Sequence, residues 1–136
     1  MLKTGLFDRS HLTTLKKAVD AYAQRHQVTA QNIANVETSG YRARELKFED
    51  LLTGAGASIE GYRTHPNHFP IGRQGLGNVN PRTVDADTGY DNGVNDVDID
   101  AEMANLATND LSYRLATRLL SQRYSVLRSA IKGQTR

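Results

Sequence analysis

The chain has no cysteine. Disulfide staples and thiolate metal sites are therefore excluded, and a small domain loses one common way of compensating for a thin core. Long hydrophobic runs are missing as well. No stretch approaches the roughly 18 apolar residues of a membrane-spanning helix, and the opening "MLKTGLFDRSHLTTLKKAVDAYAQRH" holds no continuous apolar segment of the kind a cleaved secretory signal carries. The expectation is a soluble chain with no cleaved signal and no direct membrane insertion. Apolar material is scarce throughout: 38% of 136 residues are hydrophobic, 11 are glycine and mean hydropathy is −0.56. That is length enough for one domain with little to bury, so further burial has to come from outside the chain.

Chemistry-bearing patterns are equally sparse. There is no glycine-rich phosphate loop, no nucleophile elbow and no evident nucleophile with its base. His65 and His68 in "HPNHFP" offer two imidazoles, but the proline disfavours a helix and no carboxylate stands at ligand spacing, so a solvated loop is the reading. "DADTGYDNGVND" from Asp85 looks like a calcium loop, yet it puts Tyr90 where the sharp turn needs glycine and Asp96 where a bidentate glutamate belongs. No enzyme, metal or cofactor is expected.

Charges of one sign are absent from two adjoining stretches. Residues 84–113 hold eight acids and no Lys or Arg, whereas residues 114–136 hold six bases and no acid. Acids at a helix start and bases toward its end complement the helix macrodipole, at about 0.3 to 1 kcal/mol each when exposed. A nucleic-acid surface is not indicated, because Arg123 and Arg128 stand off the face shared by Arg114, Arg118 and Lys132, and the acids repel phosphate.

Three parts follow along the chain: residues 1–36, 37–97 and 98–136. The spacing of Leu12, Leu15, Val19, Tyr22, His26, Thr29, Ile33 and Val36 predicts a first helix from about Ser10, as N-cap, to about Asn35. The last part predicts a helix with Asp98 as N-cap and Gly133 at its end, about 50 Å long at 1.5 Å per residue. The middle carries most of the glycines and several turn sequences without helical periodicity, which reads as an irregular, weakly β insertion. The fold class is therefore mainly α, with the two long helices paired as a hairpin.

The last helix has apolar residues on two sides. Ile99, Met103, Leu106, Tyr113, Leu120, Tyr124, Leu127 and Ile131 make one ridge, expected to be the hairpin seam. Ala107, Leu111, Leu115, Leu119, Val126 and Ala130 make a second, roughly 160° away at about 100° per residue. One partner helix covers one stripe, so the second ridge calls for a polymer or a bundle.

Between the first two parts stands "NIANVETSGYRARELKFEDLL", residues 32–52. Gly40 can adopt positive φ, Asn35 and Thr38 can bond loose groups at a helix end, and Tyr41 supplies an anchor, so the chain is expected to turn away from the helical layer. Asn32, Ala34, Asn35, Thr38, Gly40, Tyr41, Arg42 and Ala43 resemble the N-x-A-N-x-x-T-x-G-Y-[KR]-[AS] sequence that closes the first helix of flagellar rod and hook proteins, with Ser39 where proline is frequent. The C-terminal part "VDIDAEMANLATNDLSYRLATRLLSQRYSVLRSAIKG" looks like the last helix of a proximal rod protein and lacks the "RAYQAN"-like core of its rod paralogue.

The resemblance implies a structural subunit of the bacterial flagellar basal-body rod, spanning the periplasm, transmitting torque from motor to hook and exported through the flagellar type III apparatus. Its implied partners are other copies of itself, other rod proteins, the rod-base adaptor and the export gate. Phe48 and Leu52 fit a short F-x-x-x-hydrophobic pattern thought to engage that gate; otherwise, four residues apart, they pack on one side of a helical turn. The alternatives are the rod paralogue and a soluble helical adaptor that binds a partner helix.

Overall fold

The computed structural model describes residues 9–48 and 80–133. These form α1 (Arg9–Ala34), β1 (Arg44–Lys47), β2 (Arg82–Asp85) and α2 (Ile99–Lys132), so the protein is mainly helical with a small two-stranded antiparallel sheet. Among the described residues no helix is long and apolar enough to cross a membrane. The histidines His65 and His68 and the second residue of the F-x-x-x-L pattern, Leu52, lie outside the described residues.

α1 contains neither Gly nor Pro and is rich in Ala, Lys and Gln, all good helix formers. Ser10 lies within it and so is helical and not the N-cap, which requires extended backbone. α2 matches its expected ends. Asp98 has extended backbone (φ −94°, ψ 106°) and its side chain accepts from the Asp100 N–H at 3.0 Å and the Ala101 N–H at 3.2 Å, while Gly133 stops the helix in the left-handed region at φ 64°.

The helices run antiparallel: Glu102 of α2 meets Asn32 near the end of α1, and Asn109, seven residues on, meets Tyr22. The buried face of α1 differs from expectation. Leu12, Leu15, Val19, Tyr22 and Ile33 are half-buried and His26 is exposed, whereas Ala21, Val28, Thr29 and Asn32 are buried, most of them well round the helix from that stripe. The reason is the sheet. Ala18 and Ala21 are short enough for Leu46 and Phe48 of the returning chain to pack directly on the helix, and together they form a buried apolar cluster. Full burial of Phe48 contributes about 3 kcal/mol at the upper end for such a side chain.

The turn therefore does not send the chain away from the helical layer. β1 comes back along α1, paired with β2 in the register Arg44↔Asp85, Glu45↔Val84, Leu46↔Thr83 and Lys47↔Arg82. The Ala86 N–H donates to the Ala43 carbonyl at 2.8 Å, which extends the ladder by a pair. Alternation then points the backbone groups of Arg44 and Leu46 to the outer edge. α1 occupies that edge with side chains: Asn32 bonds both the N–H and the carbonyl of Arg44, and the Arg25 guanidinium donates to the Leu46 carbonyl at 3.1 Å. Two α1 side chains thus stand where a third strand would, and the edge is closed.

Candidate functional site

Asn32 is the hub of the turn, with no exposed surface and every hydrogen-bonding position of its amide taken. Nδ2 donates to the Arg44 carbonyl at 2.8 Å and to Glu102 Oε1 at 3.0 Å. Oδ1 accepts from the Arg44 N–H at 3.0 Å and from the Tyr41 hydroxyl at 3.1 Å. Only a side chain with two donors and an acceptor oxygen on one short stem meets these demands; Asp lacks the donors and Gln is a methylene too long. Asn32 thereby joins α1, the turn, β1 and α2. Glu102 is buried, and burial pushes its carboxyl up from the ordinary value, as does the neighbouring Asp98 charge, against the opposing pull of the Asn32 amide.

The rest of the turn closes the end of α1. Gly40 sits at φ 71°, a conformation that costs a residue with a Cβ. Asn35 donates to the Gln31 carbonyl at 2.7 Å, and the Thr38 hydroxyl donates to Asn35 Oδ1 at 3.2 Å. Ala34 and Arg42 are exposed, and Ala43 is buried.

A segment remote in sequence completes this cap. Asn95, just ahead of α2, shares its Nδ2 donors among the carbonyls of Asn35 (3.1 Å), Val36 (2.7 Å) and Thr38 (3.1 Å). Its Oδ1 accepts from the Val97 N–H at 2.9 Å, the Gly40 N–H donates to the Val94 carbonyl at 3.0 Å, and the Ala43 N–H donates to Asp96 Oδ1 at 2.6 Å. The carbonyls that a helix end leaves unpaired are thus met from across the fold. Sequence reasoning missed Asn95, Asp96, Glu102 and Asn109. "VNDVD" directly before a helix start was the available signal for the first two; nothing in the spacing marked the others.

α2 presents three distinct faces. Its buried positions are Glu102, Asn109 and Ala116, with Leu106, Leu120 and Leu127 half-buried beside them. Asn109, 4% exposed, donates to the Tyr22 carbonyl at 2.9 Å, and its Oδ1 has no partner. The expected seam is therefore right in part. Met103, Ile99 and Ile131 are exposed, as are Tyr113 and Tyr124 by a smaller margin, because α1 covers a narrower stripe made largely of polar and small residues. On the second ridge Leu111 is 70% and Leu115 59% exposed, with Leu119 and Val126 also exposed. The third face carries Arg114 and Arg118 above Ser121 and Ser125.

No family profile matches the chain. Individual proteins do. Flagellar basal body rod protein FlgB of Borrelia hermsii is 32% identical over 123 residues, covering 84% of this chain and 90% of that protein. FlgB of a Cereibacter sphaeroides strain is 30% identical over 130 residues, covering 93% of this chain and 97% of that protein. The chain belongs to the FlgB family. FlgB of Bacillus subtilis is 25% identical over 122 residues and covers 90% of this chain and 93% of that protein. Membership of the FlgB family makes the chain a component of the flagellar basal body rod.

Proposed function

We propose that the chain is a proximal-rod subunit that assembles by packing α2 against helices of neighbouring axial subunits, other copies of itself and other rod proteins. The observation that carries this is the inverted polarity of α2. It buries Glu102, Asn109 and Ala116 within its own molecule and leaves Leu111, Leu115, Leu119 and Val126 facing out. A helix of an isolated domain does the reverse, and contiguous exposed apolar surface marks a contact with another molecule. Interlocked ridges of this kind resist sliding and would transmit torque along the rod. The chain would reach that place through the flagellar type III apparatus without a cleaved signal, meeting the export gate and the rod-base adaptor on the way.

The test is the double variant Leu115→Asp with Leu119→Asp. Both positions are exposed in the subunit, so its fold and export stay intact, while burying an unpaired charge at each contact costs about several kcal/mol. Rod assembly and swimming are lost. Normal swimming of the double variant refutes the assignment of this ridge.

A further inference from the structure

Asn92 is the only asparagine in the chain that is followed by glycine. The fold uses both residues. Gly93 turns the loop ahead of α2 at φ 81°, in the left-handed region that favours a residue without a Cβ, and Asn92 Oδ1 accepts from the Val94 and Asn95 N–H groups, each at 2.8 Å. The backbone N–H of Asn92 donates to the Asn95 carbonyl at 3.1 Å, and its Nδ2 donates to Asn95 Oδ1 at 3.2 Å and, at the limit of reach, to the Val97 carbonyl at 3.5 Å. Asn92 therefore holds Asn95 in place, and Asn95 closes the end of α1 through the carbonyls of Asn35, Val36 and Thr38.

The same pair is reactive when it is not held. A following residue with no side chain leaves its backbone nitrogen free to approach the amide carbon of Asn92. Solvent base takes the Gly93 amide proton, the nitrogen bonds to Asn92 Cγ, the Cγ–Nδ2 bond breaks, and ammonia leaves with a proton returned by solvent. Water then opens the cyclic imide. Opening at Cγ gives aspartate; opening at the main-chain carbonyl gives isoaspartate, in which the main chain runs through the former side chain and is a methylene longer. The net reaction consumes water and releases ammonia, with no change of oxidation state.

The folded loop opposes each step. The Gly93 N–H donates to Asp91 Oδ1 at 2.8 Å, so the proton to be lost is held by a carboxylate, and the negative charge beside it disfavours the amide anion. Attack has to come over the face of the Asn92 amide, and turning that face toward the Gly93 nitrogen breaks the bonds of Oδ1 and Nδ2. Both residues are exposed, so water and base reach them as soon as the loop opens.

We propose that Asn92–Gly93 is a site of spontaneous deamidation, open in the unfolded chain and locked by the fold, whose isoaspartyl product no longer closes the end of α1. The lengthened main chain cannot bring the Val94 and Asn95 N–H groups onto one oxygen, and Nδ2 is gone. The Gly40 N–H then loses the Val94 carbonyl, and the Asn95 amide loses its place against α1. Time spent unfolded is thereby recorded as a lesion in the turn. The proposal is independent of how subunits pack in the rod.

The purified full chain is incubated at pH 8 in native buffer and, in parallel, in enough guanidinium chloride to unfold it. Peptide mass mapping follows the exchange of NH2 for OH, fragment ions locate it, and enzymatic methylation of the isoaspartyl carboxyl identifies that product. In denaturant Asn92 is expected to convert before every other asparagine. In native buffer its conversion is slower by about tenfold or more, the ratio reporting how rarely the loop opens. Gly93→Ala, compared in denaturant alone, where strain in the turn is immaterial, slows conversion by about tenfold because a Cβ crowds the attacking nitrogen. Chains carrying isoaspartate at this position and returned to native buffer lose exchange protection at the Thr38 and Gly40 amides. Equal rates in the two solutions, another asparagine converting first, conversion unaffected by Gly93→Ala, or isoaspartyl chains that regain full protection each overturn the proposal.

Discussion

Asn32→Asp changes one NH2 group into an oxygen and leaves the shape of the side chain nearly untouched. The two acceptor contacts, from the Arg44 N–H and the Tyr41 hydroxyl, survive. Both donor contacts are lost, and one of them is replaced by a carboxylate about as close to Glu102 Oε1 as the 3.0 Å amide it supplants. Two buried carboxylates in contact cannot both ionise without large cost. With both charged, the penalty is about 3 to 5 kcal/mol, the range for an uncompensated buried charge, against a total stability of about 5 to 15 kcal/mol for a domain. The sign with pH follows. The pair's folded-state pKa is raised, so its contribution to stability is full below the unfolded carboxyl value and is lost as pH rises through the folded one. Urea unfolding followed by circular dichroism should show a severe loss for Asn32→Asp at pH 8 that largely recovers near pH 5, where one shared proton restores a hydrogen bond between the carboxyls. Asn32→Ala should lose stability at both pH values. Equal loss of Asn32→Asp at pH 8 and pH 5, or no loss at pH 8, refutes the hub reasoning.

Glu102→Gln keeps the acceptor for Asn32 and removes the charge. Because the native carboxyl is raised above its ordinary 4.5, it stabilises the fold below that value and ceases to as pH rises through its folded value, so the variant should flatten that part of the stability profile and be no less stable at pH 7; an unchanged profile counts against burial as the cause. Asn95→Ala leaves the Val36 carbonyl without its donor and strips one of two donors from the carbonyls of Asn35 and Thr38, which keep the Thr38 and Tyr41 N–H groups; it should cost about 2 kcal/mol, read as faster amide exchange at the end of α1 before the rest of the helix. Phe48→Ala should cost about 3 to 5 kcal/mol by emptying the site between Ala21 and Leu46. Combined with Leu52→Ala in a strain unable to build the rod, it separates packing from export: secretion at the parental level eliminates contact with the export gate.

The local signals at the ends of α2 and at Gly40 are legible in the sequence because they depend on neighbours a few residues away, whereas Ser10, a cap candidate by the same logic, lies inside α1. Asp98 caps α2 because it precedes Asp100 and Ala101, Gly133 stops it because it lacks a Cβ, and Gly40 takes its positive φ for the same reason. The buried face of α1 was misread because periodicity weighs side chains by size. The face that mattered carries alanines, and they are buried by Leu46 and Phe48, which arrive only after a turn whose direction no helical wheel contains. The polar seam was illegible for a related reason. Glu102 and Asn109 look like solvated residues until Asn32 and the Tyr22 carbonyl are placed opposite them, and the pairings span 70 and 87 residues.

The unequal faces of α2 also bear on the order of folding and assembly. A seam made of Glu102, Asn109 and Ala116 gives the hairpin a register, since a shift of one turn would strand buried polar groups, but it yields little hydrophobic stabilisation. The side-chain oxygen Oδ1 of Asn109 is already without a partner, which lowers the gain from pairing the two helices further. The surface able to supply that gain, at about 25 cal/mol per Å² of apolar area removed from water, is the ridge of Leu111, Leu115, Leu119 and Val126 that the subunit leaves exposed. On the assembly reading, hairpin closure specifies geometry and neighbour contact supplies stability. The half of α2 beyond Ala116, which the sheet does not reach, then becomes firmly helical only when a second subunit covers it.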